Sequence, residues 1–289
     1  MEVERSDQIF TRLQGVDYKK AFGILEHASC HPRMAEETFL EHIQPRMSDD
    51  HKSTFLDVGC GGGGITRRIA PFFSRGVVVE MNTSMISSSD MPENVDIRLG
   101  NFLDVDLSDC SNGFDFILCS HVLYRMPKDI LQQMILKIYS LLRPGGQALL
   151  VLAAPRNMTH EFLCDLVDEE DIWTSQKLLE VVRDANLSHE TIEKSNDMRL
   201  SSLDHVRTIL EFMLVENSAD IIGVLPEHEP AIEKVLHAVA TASPCHQVDE
   251  LSSQEVTVDA RLETDSLSFV LTQDDDHIII RKPSSAATM

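Results

Sequence analysis

The ten residues Phe55-Leu56-Asp57-Val58-Gly59-Cys60-Gly61-Gly62-Gly63-Gly64 constrain this chain more than any other stretch. A short apolar run, the length of a buried strand, passes directly into five glycines within six positions. Glycines cost chain entropy, so a run of them marks backbone that turns tightly and approaches a ligand closely. Gly64–Phe73 reads as a helix and Gly76–Glu80 as a second strand. Glu80 ends that strand, 21 residues beyond Gly59, where a carboxylate can accept both hydroxyls of a ribose. This is the outline of a nucleoside-binding strand–helix–strand unit.

The same alternation continues. Val95–Leu99, Phe114–Ser120 and Gln147–Ala153 read as strands, and Ile130–Leu142 as a helix that Pro144-Gly145-Gly146 should stop. Such an order argues an α/β fold, a parallel sheet covered on both faces. Ahead of it, residues 7–47 have a helical pattern, which the polar stretch 48–53 breaks. Beyond it, Thr174–Ala185 reads as a helix capped by Thr174, His189–Lys194 as a strand, and Leu203–Val215 and Ile232–Thr241 as helices around the proline-marked stretch Leu225–Pro230. Leu267–Thr272 alternates like a strand, with Ile278–Ile280 placed to pair with it, and Ser284–Met289 reads as a frayed tail. The acidic runs Asp168–Asp171 and Asp274–Asp276 read as solvated loops.

The chain has 289 residues, 43% of them hydrophobic, enough for the core of one compact unit. Its formal net charge of −22 repels phosphate backbones and anionic lipid, so neither nucleic acid nor membrane is an expected partner. The acidity is lopsided. Residues 1–159 carry 16 basic and 20 acidic side chains, and residues 160–289 carry 9 and 27. The second half would therefore draw small cations. Six cysteines without a CxxC pair read as reduced thiols, MEVERSDQIF lacks an apolar signal core, and no apolar run reaches membrane-span length. The expected location is the cytoplasm.

Two ligands suit the glycine loop: a nicotinamide dinucleotide, since Gly59 to Gly64 satisfies GxGxxG, and S-adenosylmethionine, a sulfonium without phosphate. The flanks separate them, because Asp57 just ahead of the loop suits a cation better than a pyrophosphate. Leu56-Asp57-Val58-Gly59-Cys60-Gly61 resembles the first motif of class I methyltransferases. Asn101-Phe102, Phe114-Asp115-Phe116-Ile117-Leu118-Cys119-Ser120-His121 and Leu141-Leu142-Arg143-Pro144-Gly145-Gly146 resemble that family's later blocks, in order. The resemblance covers about 54–155. It implies a Rossmann-like, mostly parallel seven-stranded sheet with helices on both faces, and S-adenosyl-L-methionine as cofactor. Gly59, Gly61, Glu80, Met85, Asn101, Phe102 and Ser120 match its cofactor-binding positions, with Asn101 bonding the adenine amino group and Phe102 stacking on the ring.

Tyr18-Lys19-Lys20-Ala21-Phe22, His27-Ala28-Ser29, Ser120-His121-Val122-Leu123-Tyr124 with Lys128-Asp129, Thr174-Ser175 with Leu178, and Ser266-Leu267-Ser268-Phe269 resemble a narrower group, the histamine N-methyltransferases. That likeness implies a monomer that methylates a small amine. Residues 1–50 would form a helical substrate cap, 51–160 the cofactor core, and 161–289 the rest of the sheet and a lid. His121 is the implied catalytic residue, with Cys30, Tyr124 and Asp265 contacting the substrate. The departures are specific: Cys30 stands for a glutamate, His121 for a glutamine, Asp265 for an asparagine and Arg125 for a tyrosine. They keep open a different small-molecule acceptor, such as a histidine-containing dipeptide, another amine or a carboxylate, and a non-catalytic cofactor-binding homologue. His27, Cys30 and His31 fall at i, i+3 and i+4, a spacing compatible with zinc. The resemblance accounts for His27 without metal, and no metal is expected.

Overall fold

The computed structural model describes residues 18–47, 53–83, 85–86, 91–168, 171–217, 228–242 and 268–284. Two helices lead, α1 (Tyr18–Ala28) and α2 (His31–Thr38), followed by a wider turn of helix at Phe39–Ile43. The helical stretch expected as one run is broken at Ser29-Cys30, because Pro32 suits only the first turn of a new helix. The alternating core then follows as β1 (Thr54–Val58), α3 (Gly64–Ile69), β2 (Arg75–Glu80), β3 (Val95–Leu99), β4 (Phe114–Ser120), α4 (Lys128–Leu141) and β5 (Leu142–Ala153). Next come α5 (Asn157–Cys164), α6 (Ser175–Asp184), β6 (His189–Leu200), α7 (Leu203–Asn217), α8 (Glu229–Ala242) and β7 (Phe269–Arg281).

The strands form one seven-stranded sheet in the order β3-β2-β1-β4-β5-β7-β6. The pairs from β3 through to β5 are parallel, and β7 runs antiparallel between β5 and β6. Strand order reverses between β1 and β4, and ligands of open α/β sheets bind beside the carboxyl ends of strands at such a switch. The inner strands are buried on both faces, hence runs such as Val77-Val78-Val79 and Phe116-Ile117-Leu118 rather than alternation. On one face Leu131, Ile135 and Ile138 of α4 and Leu178 and Val182 of α6 pack on Ile117, Leu150 and Ile278. On the other, Phe39, Ile43 and Phe73 pack on Phe55, Phe116 and Ile279. A third group joins α5, α7 and α8 to Met198, Leu200 and Leu271.

Three expectations need correction. Helix α4 ends at Leu141, one residue from its expected end, but β5 begins at Leu142 rather than Gln147, so Pro144-Gly145-Gly146 lies within the strand: Gly145 donates to the Lys282 carbonyl and Lys282 to that of Gly146. Thr174 does precede α6 but makes no side-chain cap bond. The third correction matters for function. Leu267–Thr272 and Ile278–Ile280 were expected as two short paired strands with a solvated acidic loop between them, but Phe269–Arg281 is a single strand, clasped along its length by β6. Asp274–Asp276 lies in its middle. Period-two alternation sends Asp274 and Asp276 to one face, where Arg156 donates to both at 2.9 Å and Ser175 bonds Asp276. It sends Asp275 and His277 to the other. Asp168 keeps to the expectation, in an exposed turn.

Candidate functional site

The glycine loop leaves β1 through left-handed backbone at Gly59, Gly61 and Gly63, with φ of +72°, +52° and +76°. Only glycine takes such angles without strain. Gly59 also needs its missing side chain for space, since a Cβ there would lie 2.3 Å from Val122 Cγ2. The segment after β4 thus rests directly on the loop. Glu80, buried at the end of β2, accepts the Gly61 N–H at 2.8 Å through one oxygen and the Asn82 N–H at 2.8 Å through the other. A carboxylate offers about four acceptor positions, so roughly two remain for ligand hydroxyls.

Asp57, on β1, accepts a 2.6 Å hydrogen bond from Thr66 Oγ1 at the start of α3. Burial pushes its carboxyl up to about 7; the Thr66 bond opposes that rise, and the nearby Glu80 carboxylate adds to it. Asp57 therefore secures the loop to its helix. Arg67 donates to the Gly62 carbonyl at 2.7 Å and Arg68 to Glu36 at 2.6 Å, so both arginines of α3 are engaged with the protein. Gly62 and Gly64 lie under the Glu26 carboxylate of α1. A paired carboxylate at the end of β2, an anion over the loop and committed guanidinium groups fit a phosphate-free, cationic nucleoside better than a pyrophosphate.

The tip of β4 carries the second half of the site. His121 follows Ser120 with φ of +56°, an uncommon backbone for a non-glycine residue and one that concentrates at functional sites. Its Nδ1 lies 2.8 Å from the Tyr124 hydroxyl, which accepts the Ala153 N–H at 3.1 Å. Its ring stacks on that of His31, with centroids 4.0 Å apart. Both Nε2 atoms face Asp275 Oδ2, at 2.9 Å from His31 and 3.6 Å from His121. Asp275 is fully buried; burial opposes its charge, but the two imidazoles outweigh it and hold the carboxyl well below the usual carboxylate range. Burial likewise pushes the His31 imidazole down, and His121 adds to the shift. His277, bonded through Nδ1 to Thr38 Oγ1 at 2.8 Å, is pushed by burial down to about 3 against the opposing pull of Asp275.

The expected site residues fall into three groups. Gly59, Gly61 and Glu80 meet at the loop, and Ser120, His121 and Tyr124 meet at the β4 tip beside it. Met85 is half-buried beyond β2, its N–H on the Asn82 carbonyl. Asn101 uses its side-chain oxygen to accept the Leu103 N–H at 2.9 Å. Phe102 is packed into the core, with the Lys137 ammonium 4.9 Å from its ring centroid, which leaves little of the ring for a stacking base. Cys30 stands ahead of α2, its backbone N–H on Asn196 Oδ1 at 2.9 Å. Asp265 lies outside the described residues. The sequence reading missed Asp275, and weighed His31 only against its neighbours in the helix. An acidic run flanked by Leu-Thr and Ile-Ile-Ile, read as one strand, would have sent Asp275 and His277 to a common face.

Among the described residues no helix is long and apolar enough to cross a membrane. Residues 56–150 match the family described as "Methyltransferase domain". Nodulation protein S of Azorhizobium caulinodans is 31% identical over 103 residues, 35% of this chain and 49% of that protein. The ubiquinone biosynthesis O-methyltransferase of Rickettsia typhi is 30% identical over 135 residues, 45% of this chain and 51% of that protein. The chain thus spans about half the length of the curated relatives it matches. Among solved structures, the N-methyltransferase NodS from Bradyrhizobium japonicum is 12% identical, with a TM-score of 0.45 over 87% of this chain and 96% of that one. The glycine loop, Glu80 and the strands β1 to β5 lie within or beside the matched segment, so residues 56–150 are similar to methyltransferase domains, and S-adenosylmethionine is the cofactor.

Proposed function

We propose that this protein transfers a methyl group from S-adenosylmethionine to a nitrogen of a small amine, imidazole amines such as histamine first among them. The observation that carries the reading is the contact of Val122 with Gly59, which sets the polar tip of β4 against the cofactor loop. Bound S-adenosylmethionine supplies an electrophilic methyl on a sulfonium. The acceptor nitrogen attacks with its lone pair; the carbon–sulfur bond breaks, a carbon–nitrogen bond forms, and the nitrogen sheds a proton. An ammonium group cannot attack, so a primary amine must lose a proton to the protein first. His121 is the catalytic residue for that task. Tyr124 fixes its ring, and buried Asp275 stabilises the imidazolium that forms. Support for an amine comes from this anionic cluster, the acidity of the chain and the resemblance of the β4 tip to that of the histamine N-methyltransferases.

The test is turnover with methyl-labelled cofactor across a panel of amines, phenols and carboxylates. Histamine, other imidazole amines or histidine-containing dipeptides should lead. Faster methylation of phenols or carboxylates than of every amine would overturn the amine assignment and leave the cofactor half standing.

A further inference from the structure

The cluster at the tip of β4 has more unmet polar groups than a proton relay needs. His121 Nε2, Asp275 Oδ1 and His277 Nε2 are buried without a hydrogen-bond partner, and Asp275 Oδ2 faces only the two imidazole nitrogens. Native interiors rarely leave such groups unpaired, and several in one place offer polar partners to an ion, a water or a ligand. Asn196 deepens the mismatch. Its side-chain oxygen accepts the Cys30 N–H, which turns its NH2 toward His31 Nε2 at 2.8 Å. If that nitrogen carries a proton, it confronts the amide donor. If it does not, its lone pair confronts Asp275 Oδ2 at 2.9 Å. Neither state satisfies both neighbours.

A cation resolves this. With His31 Nε2 and Asp275 Oδ2 both turned to an ion, the Asn196 NH2 keeps Ser29 Oγ, 3.3 Å away, as its acceptor. We propose that His31, His121 and Asp275 form a binding site for a divalent first-row transition metal of the zinc type. The ligand atoms of the three residues all lie within 4.8 Å of one another. Two of the separations, 2.9 and 3.6 Å, bracket the roughly 3.3 Å between ligands of a tetrahedral ion held at about 2.0–2.1 Å. Two imidazoles and one carboxylate favour zinc-like ions over magnesium or calcium. The second layer is in place too, with Tyr124 on His121 Nδ1, the partner that orients a ligating ring. The ligands come from three separate parts of the chain, α2, the β4 tip and β7, and the ion would tie the N-terminal helices to the sheet. Ion and proton compete for the same lone pairs. On the proposed function, an occupied site would remove the proton acceptor, so loading should slow amine methylation.

The experiment is a titration of the metal-stripped full chain with Zn2+ by calorimetry and with Co2+ by visible absorption. One equivalent should bind, with a Co2+ spectrum free of thiolate bands. Asp275→Asn and His31→Ala should each weaken binding by at least about tenfold, while S-adenosylmethionine affinity stays within about threefold of wild type and shows that the variants are folded. Absence of saturable binding in the wild type, or binding that survives both substitutions, overturns the site. Amine turnover is measured separately. If metal binds as described and no amine is methylated, the proposed function falls and the metal site stands; if amines are methylated and metal does not bind, the reverse holds.

Discussion

Glu80 does two jobs with one carboxylate, and its substitution separates them from the rest of the fold. Its oxygens hold the Gly61 and Asn82 amides, and we propose that their remaining lone pairs take the ribose. With Glu80 as the proposed acceptor of both ribose hydroxyls, Glu80→Ala removes two charge-assisted bonds, a loss of roughly 3–6 kcal/mol, or about 2–4 decades in the dissociation constant. Calorimetric titration with S-adenosylmethionine should show this, with an unchanged far-ultraviolet dichroism spectrum. An affinity within about threefold of wild type would remove Glu80 from the site. Tyr124→Phe is a finer probe. It deletes the hydroxyl that bonds His121 and accepts the Ala153 N–H, without emptying the space. The loss of about 1–1.5 kcal/mol in orienting His121 should lower kcat about tenfold and leave the cofactor dissociation constant unchanged. A drop in cofactor affinity instead would mean that Tyr124 supports the loop rather than the acceptor side.

At the scale of elements, β1 and β2 owe their close pairing to a single absent side chain. Gly76 pairs with Phe55, whose ring covers it so tightly that a Cβ would sit 2.2 Å from Phe55 Cε1. Gly76→Ala must displace that ring from the Phe39–Phe73–Phe116 group, which is overpacking of the kind that costs about 1–3 kcal/mol. Urea denaturation should report it; stability equal to wild type would show that the ring moves freely. These strands were legible in the sequence because an inner parallel strand buries both faces and reads as an unbroken apolar run. β7 was not. Its acid-rich middle looks like solvent-facing loop, and only its clasp between β5 and β6, with Arg156 on one face and two histidines on the other, makes three adjacent aspartates tolerable in a strand. The proposed cofactor half of the site is local, a loop and one acid 21 residues apart, and a spacing that short can be read from sequence. The cluster of His31, His121 and Asp275 is built across 244 residues of chain, and no spacing rule reaches that far. Phe102 shows what sequence position alone leaves out: its ring is buried against the core beneath Lys137.

The whole molecule carries an acidic excess, with a formal charge of −22, and one of its carboxyl groups is buried where charge is costly. Burial raises Asp57 to about 7, against an ordinary value near 3.8, despite the bond from Thr66. Between those two values the folded protein holds a proton that the unfolded chain has lost. Stability therefore falls as pH rises across this window. The contribution is complete below about pH 4 and gone once the pH has passed 7. It runs opposite to that of His31, His277 and Asp275, whose lowered values make the fold lose stability toward acid. The two trends would blur in a single curve, so the difference between wild type and Asp57→Asn isolates the first. Asparagine can accept the Thr66 bond without ever taking on charge. The variant should match wild type near pH 4, already exceed it at pH 5, and exceed it at pH 8 by about 2–4 kcal/mol, as read from urea midpoints. Parallel curves for the two proteins from pH 5 to 8 would show that Asp57 is ionised throughout, and that the loop tolerates a buried carboxylate pair with Glu80.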